Sequence, residues 1–221
     1  MTGSFCLLIV AKAPVAGFAK TRLCPPASPR QAAEIAAAAL LDTLDAARAT
    51  PGAVPVVAAT GEFEHAAMAD ELVRALHDMA VIRQRGQEFG TRLANAHADA
   101  GALLGLPILQ IGMDTPQVTA SLLGRAGATL LTAGGDAVLG PAEDGGWWAL
   151  GLRDPSAAKA LVRVPMSTAD TGSRTLRALT AAGLRTVPLA TLSDVDTMAD
   201  ARRVARVAGP RFARAVAVVP A

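Results

Sequence analysis

The sequence has 221 residues, of which 52% are hydrophobic and 18% charged, as expected for a globular chain with a sizeable core. This composition excludes an intrinsically disordered protein, and a formal net charge of +2 gives no indication of nucleic-acid binding. Only three of the 21 basic residues are lysines, and two of these, Lys12 and Lys20, lie close together near the N-terminus. We expect a single domain over residues 1–221.

The two cysteines and the first apolar run indicate the compartment. Cys6 and Cys24 provide neither a disulfide framework nor the spacing of a metal site. The run over residues 5–11 has the length of a strand, is too short to span a membrane, and lacks the basic region that precedes the core of a signal peptide. These features predict a cytoplasmic protein that does not contact a membrane.

Apolar runs of strand length alternate with segments of helical periodicity along the chain. The predicted strands cover residues 5–11, 54–59, 79–82, 107–112, 137–140 and 147–151. The predicted helices cover residues 30–49, 62–76, 89–104, 119–132, 155–162, 168–182 and 197–208. This alternation predicts an α/β fold with a mostly parallel sheet and helices on both faces, and one antiparallel or mixed pairing at the strand over residues 147–151. The apolar residues 215–221 fit either an edge strand or a contact with another subunit.

The segment after the first strand carries three cations among small residues. Lys12, Lys20 and Arg22 lie within eleven residues that contain no other charge. Backbone N–H groups and point charges together suit a diphosphate or triphosphate, and ligands of open α/β sheets bind at the carboxyl ends of strands. The spacing matches neither a Walker loop nor GxGxxG, so the prediction rests on the concentration of charge. A solvated basic loop is the alternative.

Two aspartates are candidate metal ligands. Asp114 follows the fourth strand, where a carboxylate opposite a phosphate loop would bind a divalent cation, although Asp-Thr-Pro also begins many helices. Asp196 precedes the last predicted helix, where it could cap that helix or join Asp114 on one metal ion. The three histidines suggest no catalytic arrangement, and His97 lies on an apolar helical face that favours packing.

The fifth predicted strand leads into Gly140-Pro141-Ala142-Glu143-Asp144-Gly145-Gly146-Trp147-Trp148. Asp-Gly is typical of a hairpin turn. Both tryptophans of the chain follow this turn, and an aromatic ring can stack on a base or a sugar. Strand alternation directs one ring toward the core and the other toward the cleft, without indicating which.

Five segments together resemble a known family: AKAPVAGFAKTRL (11–23), QRGQEFGTRLANA (84–96), IGMDTP (111–116), LGPAEDGGWWALGL (139–152) and SDVDT (193–197). They resemble the small GT-A-type transferases of the DUF2064 family, which includes proteins labelled arsenosugar-biosynthesis glycosyltransferases. More distantly, they are similar to molybdenum-cofactor and 2-phospholactate nucleotidyltransferases. The resemblance implies a GT-A, nucleotide-diphosphosugar-transferase fold, a Rossmann-like three-layer sandwich around a mostly parallel mixed sheet.

The resemblance also implies roles for individual residues. The implied nucleotide- and phosphate-binding residues are Lys12, Lys20, Arg22, Gln84, Gly86 and Arg92, the last three near the base or ribose. The implied metal ligands are Asp114 and Asp196, for Mg²⁺ or Mn²⁺. The implied acceptor side consists of Asp144, Gly145, Gly146 and Trp147. The implied catalytic residues are Asp114, Lys20 and Asp144, with Glu143 as the alternative to Asp144 for a base. The sequence departs from the family at Met113, where a small polar residue is expected.

Two reactions fit this machinery, because metal and cations would neutralise either a departing nucleoside diphosphate or departing pyrophosphate. Glycosyl transfer from a nucleotide sugar to a small acceptor is favoured, since the DGGWW segment resembles the glycosyltransferase branch. The alternatives are a nucleotidyltransferase that joins a nucleoside triphosphate to a phosphorylated acceptor, and a non-catalytic nucleotide-binding module. The donor and the acceptor are the expected partners.

Overall fold

A single mixed β-sheet organises the protein. The computed structural model describes residues 3–132 and 134–220. The strands are β1 (Phe5–Lys12), β2 (Ala53–Thr60), β3 (Ala80–Arg83), β4 (Ile108–Gly112), β5 (Ala137–Pro141), β6 (Trp147–Leu152) and β7 (Thr186–Pro188). They lie in the order β3-β2-β1-β4-β6-β5-β7. The predicted domain of residues 1–221 includes Met1, Thr2, Ala133 and Ala221, which lie outside the described residues, and the single-domain organisation stays a prediction.

The pairing confirms the predicted mostly parallel sheet. β1 pairs in parallel with β2 and with β4, β2 with β3, and β5 with β7. β6 runs antiparallel to both of its neighbours, β4 and β5, so the strand predicted to make one antiparallel or mixed pairing makes two antiparallel ones. Successive strands leave β1 in opposite directions, so β1 and β4 form a switch point whose carboxyl ends are a favourable place for a ligand.

Helices cover both faces of the sheet and complete the predicted three-layer α/β sandwich. They are α1 (Pro29–Arg48), α2 (Ala69–His77), α3 (Phe89–Leu104), α4 (Ala120–Thr132), α5 (Thr171–Ala181), α6 (Met198–Val204) and α7 (Pro210–Ala217). Three 3₁₀ segments cover Thr21–Leu23, Phe63–His65 and Pro155–Arg163. α1 begins where the sequence indicates, because Ser28 and Gln31 form a reciprocal capping box and Pro29 occupies the first turn.

The core is built from small aliphatic side chains on the two faces of β1. Leu7 and Ile9 pack with α1, α2 and α4. On the opposite face, Cys6 and Leu8 pack with α3 and the 3₁₀ segment Pro155–Arg163. Burial raises the pKa of the Cys6 thiol to about 12, so this cysteine is an apolar core residue. A third cluster joins α1 to α6 and α7.

The observed elements differ from the predicted ones in several places, and the helix predicted over residues 155–162 is a 3₁₀ segment, Pro155–Arg163. The helix predicted over residues 62–76 is divided into a 3₁₀ turn and α2, because Met68 adopts a left-handed conformation with φ of 55°. β7 was not predicted, since three residues carry no readable periodicity. Residues 215–217 belong to α7, so of the two alternatives for residues 215–221 the edge strand does not form there. Within the described residues, no helix is both long and apolar enough to cross a membrane.

Candidate functional site

The carboxyl ends of β1 and β4 bring the basic loop and Asp114 together. The two strands are neighbours in parallel register, with Val10 opposite Gly112. Lys12 is therefore the last residue of one strand while Asp114 lies just beyond the end of the other. The loop from Lys12 to Arg22 contacts the segment after β4, as the order of strands requires.

Lys20 occupies the centre of this contact. Its Nζ lies 3.1 Å from Oδ1 of Asp114 and also donates a hydrogen bond to the carbonyl oxygen of Val195. Only 14% of the Lys20 side chain is exposed. The residue has a left-handed backbone conformation, with φ of 50°, which is strained for a residue with a Cβ atom and is often found at functional sites. Lys20 thus joins three distant segments of the chain.

Arg22 and Lys12 extend the basic group. Arg22 Nη1 lies 2.5 Å from Oδ2 of Asp196, and the Arg22 side chain is largely exposed. Lys12 Nζ donates to the carbonyl oxygen of Phe18 at 3.1 Å and makes no ion pair with any described residue. Each carboxylate predicted to bind metal therefore pairs with a cation predicted to bind phosphate.

These residues surround one cavity of about 260 Å³. Its charged lining consists of Lys12, Lys20, Arg22, Asp114 and Asp196. The remaining lining is the loop 18–21 with Ala36 of α1 and Met113. The structure thus brings together five of the residues that the sequence analysis singled out, from positions as far apart as 12 and 196.

Met113, where the sequence departs from the family pattern, has a structural role at the end of β1. The side chain is buried and its Sδ accepts the backbone N–H of Lys12 at 3.3 Å. The thioether thus satisfies the N–H at the end of β1, although sulfur is a weak acceptor. This N–H is consequently occupied by the protein itself.

Asp194 is a site residue that the sequence analysis missed. Burial, followed by the charges of Asp144 and Asp114, raises the pKa of Asp194 to about 7, whereas the charge of Lys20 lowers it. The charge of Asp196 also raises the pKa of Asp194, so three neighbouring aspartates act on this carboxyl. The repeated carboxylate in SDVDT was visible in the sequence, but its burial was not.

The Asp144-Gly145-Gly146 turn is tightly packed beside these carboxylates. Asp144 is exposed, and its Oδ1 accepts the N–H of Gly146 at 2.8 Å. Gly145 has φ of 87°, and a Cβ atom there would overlap the carbonyl of Ala169. Its own carbonyl accepts the N–H of Gly172 at the start of α5. The turn requires glycine because it lies directly against the backbone that leads into α5.

The structure places one tryptophan ring in the core, as strand alternation predicts, but the other ring packs against α5 and not in the cavity. Trp148 is 2% exposed and donates through Nε1 to the carbonyl oxygen of Ala190, so it belongs to the core. Trp147 is half-buried, and its Nε1 donates to Oγ1 of Thr175 on α5 at 3.2 Å. Neither ring lines the 260 Å³ cavity.

The residues predicted near the base lie at the other side of β1 and likewise do not line this cavity. Gln84 donates through Nε2 to the carbonyls of Ala11 and Ala58, and so joins the ends of β1 and β2. Gly86 has φ of 122° and lies against Thr91. The Arg92 guanidinium lies 5.3 Å from the centre of the Phe89 ring, and its Nε is buried without a partner among the described residues.

The donor chemistry fits a divalent cation. Carboxylate oxygens are the ligands that Mg²⁺ and Mn²⁺ prefer, and Asp114 and Asp196 both line the cavity. Within residues 3–132 and 134–220, no three His, Cys, Asp or Glu side chains are close enough together to hold a metal ion. Asp114 and Asp196 instead bind the cations of the loop.

Known structures share this architecture. A candidate nucleotide-diphospho-sugar transferase from Desulfovibrio desulfuricans G20 superposes with a TM-score of 0.80 at 26% identity, over 92% of this chain and 87% of that one. This similarity supports the predicted class of enzyme, a transferase. No curated protein matches the chain in sequence.

Two further structures share the fold at lower identity. CMP:2-keto-3-deoxy-manno-octonic acid synthetase complexed with CTP has a TM-score of 0.56 at 13% identity, over 91% of this chain and 97% of that one. Rv0371C from Mycobacterium tuberculosis H37Rv, in complex with manganese, has a TM-score of 0.50 at 21% identity, over 91% and 98% of the two chains.

The family model described as "Uncharacterized protein conserved in bacteria (DUF2064)" matches residues 43–168. The matched residues include β4, Asp114 and the Asp144-Gly145-Gly146 turn, whereas the basic loop and Asp196 lie outside them. Since the match covers more than half of the chain and agrees with the fold, the protein belongs to the DUF2064 family.

Proposed function

We propose that the protein is a metal-dependent glycosyltransferase that uses a nucleotide-diphosphosugar donor and a small acceptor. The observation that carries this proposal is the cavity at the switch point of the sheet, where three cations and two carboxylates meet. Cations alone would suit any anion. Their combination with paired carboxylates suits a diphosphate that binds together with a divalent metal ion.

Lys12, Lys20 and Arg22 would bind the diphosphate of the donor. A close pair of opposite charges contributes about 4 kcal/mol at an effective dielectric constant of about 20, before desolvation. Because negative charge on the diphosphate grows as the bond to the sugar breaks, these cations favour the transition state over the bound donor. Lys12 makes no ion pair with a described residue, so its charge is available without breaking one.

Asp114 and Asp196 would hold the metal, which supplies further positive charge against the leaving diphosphate. For this, each carboxylate must exchange its present cation for the metal ion. Lys20 and Arg22 would then turn to the phosphate oxygens. Each of these two carboxylates and two cations thereby has a partner of opposite charge in both the free and the occupied site.

Asp144 is the proposed base. It is exposed beside Asp194 and holds no cation among the described residues, so it can accept a proton from an acceptor hydroxyl. The oxygen of that hydroxyl attacks the anomeric carbon, the bond from that carbon to the diphosphate oxygen breaks, and a nucleoside diphosphate leaves. On the acceptor side, Gly145 and Gly146 would allow the tight turn that presents Asp144, and Trp147 would anchor this turn to α5 through Thr175.

Nucleotidyl transfer is the second candidate, favoured by the fold shared with a synthetase that binds CTP. The two reactions differ in what leaves. Incubation of the protein with Mn²⁺ and a panel of radiolabelled nucleotide sugars should release nucleoside diphosphate. Without an acceptor, this release should be slow, because the sugar is then transferred to water. Pyrophosphate release from a nucleoside triphosphate with a phosphorylated acceptor would instead establish nucleotidyl transfer, and binding without turnover would favour a non-catalytic module.

We expect Asp114→Asn to weaken Mn²⁺-dependent nucleotide binding by about 100-fold, because a neutral amide is a poor ligand for a hard cation. Isothermal titration calorimetry of the protein with CDP or UDP, in the presence of Mn²⁺, measures this effect. Asp78→Asn is the matched control, since Asp78 is exposed at the end of α2. Equal affinities of the Asp114→Asn variant and the unsubstituted protein would show that Asp114 is not a metal ligand.

A further inference from the structure

We propose that Glu143 is a positioning residue that holds the segment of residues 193–196, here named the carboxylate segment, in place for metal and donor binding. This inference rests on the proposed function, because that function assigns Asp196 to the metal. Glu143 precedes Asp144 in the turn between β5 and β6. It does not line the cavity, so its effect would pass through the residues that it contacts.

The Glu143 carboxylate binds the carboxylate segment and α6 at once. Its Oε2 accepts a hydrogen bond from Oγ of Ser193 at 2.5 Å and from Nη2 of Arg203 at 3.3 Å. The backbone N–H of Glu143 donates to the carbonyl oxygen of Leu192 at 3.0 Å. Both the side chain and the backbone of one residue therefore fix the start of the carboxylate segment.

The other end of this network reaches the helix that follows. Arg203 also pairs with Asp200, at 3.1 Å. Asp200 in turn forms the capping box of α6 with Thr197, the residue directly after Asp196. Glu143 is thus connected to the carboxylate segment on both sides, through Ser193 before Asp194 and through Arg203 after Asp196.

Other contacts of the segment come from the basic loop, where Lys20 binds Val195 and Arg22 binds Asp196, and from the residues that follow β4. Gln117 Nε2 donates to the carbonyl oxygen of Ser193 at 2.6 Å, and the N–H of Val195 donates to the carbonyl oxygen of Asp114 at 3.3 Å. Glu143 is the side chain that ties the segment to the β5–β6 turn. Without it, the distance between Asp144 on the turn and the metal-binding carboxylates would be less defined.

This arrangement distinguishes the two acids of the turn. Glu143 Oε2 receives two donors, one of them a cation, and so is poorly suited to accept a proton from a substrate. Asp144 accepts only the N–H of Gly146 among the described residues. Of the two candidates for a base, the structure therefore favours Asp144 and gives Glu143 a positioning role.

The ion pair itself is exposed, which makes the inference testable. The Glu143 and Arg203 side chains are 56% and 57% exposed, and exposed ion pairs contribute little to folding stability. Removing Glu143 should therefore change ligand binding while leaving the melting temperature nearly unchanged. Loss of residues that orient metal ligands typically weakens metal binding by 10-fold or more.

The experiment compares four variants by isothermal titration calorimetry, in which each protein is titrated with CDP in the presence of Mn²⁺. We expect Glu143→Ala and Ser193→Ala to weaken binding by about tenfold. Glu143→Gln should restore affinity to within about threefold, because its amide oxygen still accepts the Ser193 hydrogen bond and only the exposed ion pair is lost. Glu34→Ala is the control, since it removes an exposed Glu–Arg pair on α1 outside the network.

Hydrogen exchange of residues 193–196 provides a measurement that needs no ligand. The positioning role predicts faster exchange of these amides in Glu143→Ala than in Glu34→Ala, with equal melting temperatures. If the unsubstituted protein binds Mn²⁺ with CDP and Asp114→Asn does not, but Glu143→Ala retains full affinity, the inference is wrong and the proposed function stands. If the unsubstituted protein binds none of the Mn²⁺–nucleotide combinations, the proposed function fails and the positioning role with it.

Discussion

At the scale of single residues, the site is neutralised by its own side chains. Lys20 pairs with Asp114 and Arg22 with Asp196, so the groups that would bind phosphate and metal bind each other. A metal ion alone must compete with a cation for its carboxylate, and a phosphate alone must compete with a carboxylate for its cation. Metal and nucleotide together relieve both conflicts, which predicts that they bind cooperatively.

Arg22→Ala tests this competition, because its expected effects have opposite signs. Mn²⁺ alone should bind about twofold to fivefold more tightly, the range that corresponds to the loss of an exposed ion pair with Asp196. Mn²⁺-dependent CDP binding should weaken, because a phosphate contact is lost. Electron paramagnetic resonance of free Mn²⁺ measures the first effect and titration of CDP the second.

Arg30→Ala serves as the control for Arg22→Ala, since Arg30 forms an exposed ion pair with Glu34 at the start of α1. It should change neither affinity. A decrease of both affinities in Arg22→Ala would show that Arg22 supports the metal site directly, and would contradict the competition.

At the scale of elements, the C-terminal helices complete the cleft by packing on α1. Leu23 and Ile35 form a cluster with Phe212 and Val204, which holds α6 close to the basic loop. Asp42 of α1 is buried and accepts the N–H of Phe212 at 2.9 Å and a bond from Arg211 at 3.2 Å. This contact fixes the end of the chain against the helix that follows the basic loop.

Asp42 and Asp45 form a matched pair, because both bind Nη1 of Arg211 but only Asp42 is buried. We expect Asp42→Ala to lower the free energy of unfolding by about 3 kcal/mol, since it leaves a backbone N–H unpaired and removes the buried member of an ion pair. Asp45→Ala should lower it by less than about 1 kcal/mol. Urea denaturation measures both, and equal losses would mean that burial of Asp42 is unimportant.

At the scale of the whole molecule, stability depends on pH through a histidine far from the cleft. His97 is fully buried on α3, and its Nε2 lies 2.9 Å from Oε1 of Gln110 on β4. Burial lowers the pKa of His97 from 6.5 to about 4. The imidazole therefore stays neutral in the folded protein at neutral pH, as the apolar face of its helix predicts.

This pKa sets the sign of the pH dependence. Between pH 6.5 and pH 4 the unfolded chain binds a proton that the folded protein does not, so the contribution of His97 is complete above pH 6.5 and lost as the pH falls. The loss amounts to about 3 kcal/mol. Urea denaturation should therefore show a steeper decline for the unsubstituted protein than for His97→Gln, and parallel profiles would contradict the burial of a neutral imidazole.

Asp194 acts in the opposite direction. Its pKa rises from 3.8 to about 7 on folding, so its ionisation disfavours the folded state as the pH rises through that window. The difference between the unsubstituted protein and His97→Gln isolates the histidine from this effect, because both proteins retain Asp194.

Local pattern predicted much of this protein because the features concerned are local. The bounds of α3 coincide with the predicted residues 89–104, and the strand positions of the first six strands agree within one or two residues. Hydrophobic periodicity reports which face of an element is buried, and this is a property of neighbouring residues. β7 and α7 were missed because the pattern of the first is too short and that of the second depends on packing against α1.

The sequence by itself determined the alternation of strands and helices, the mostly parallel sheet and the concentration of cations after the first strand. Only the tertiary structure decided that Lys20 meets both Asp114 and Val195, that Asp194 is half-buried, and that Glu143 binds Ser193 and Arg203. The physical reason is distance along the chain. Asp114 lies 94 residues after Lys20 and Val195 lies farther still, so these groups become neighbours only when β1, β4 and the C-terminal segment meet at the same edge of the sheet.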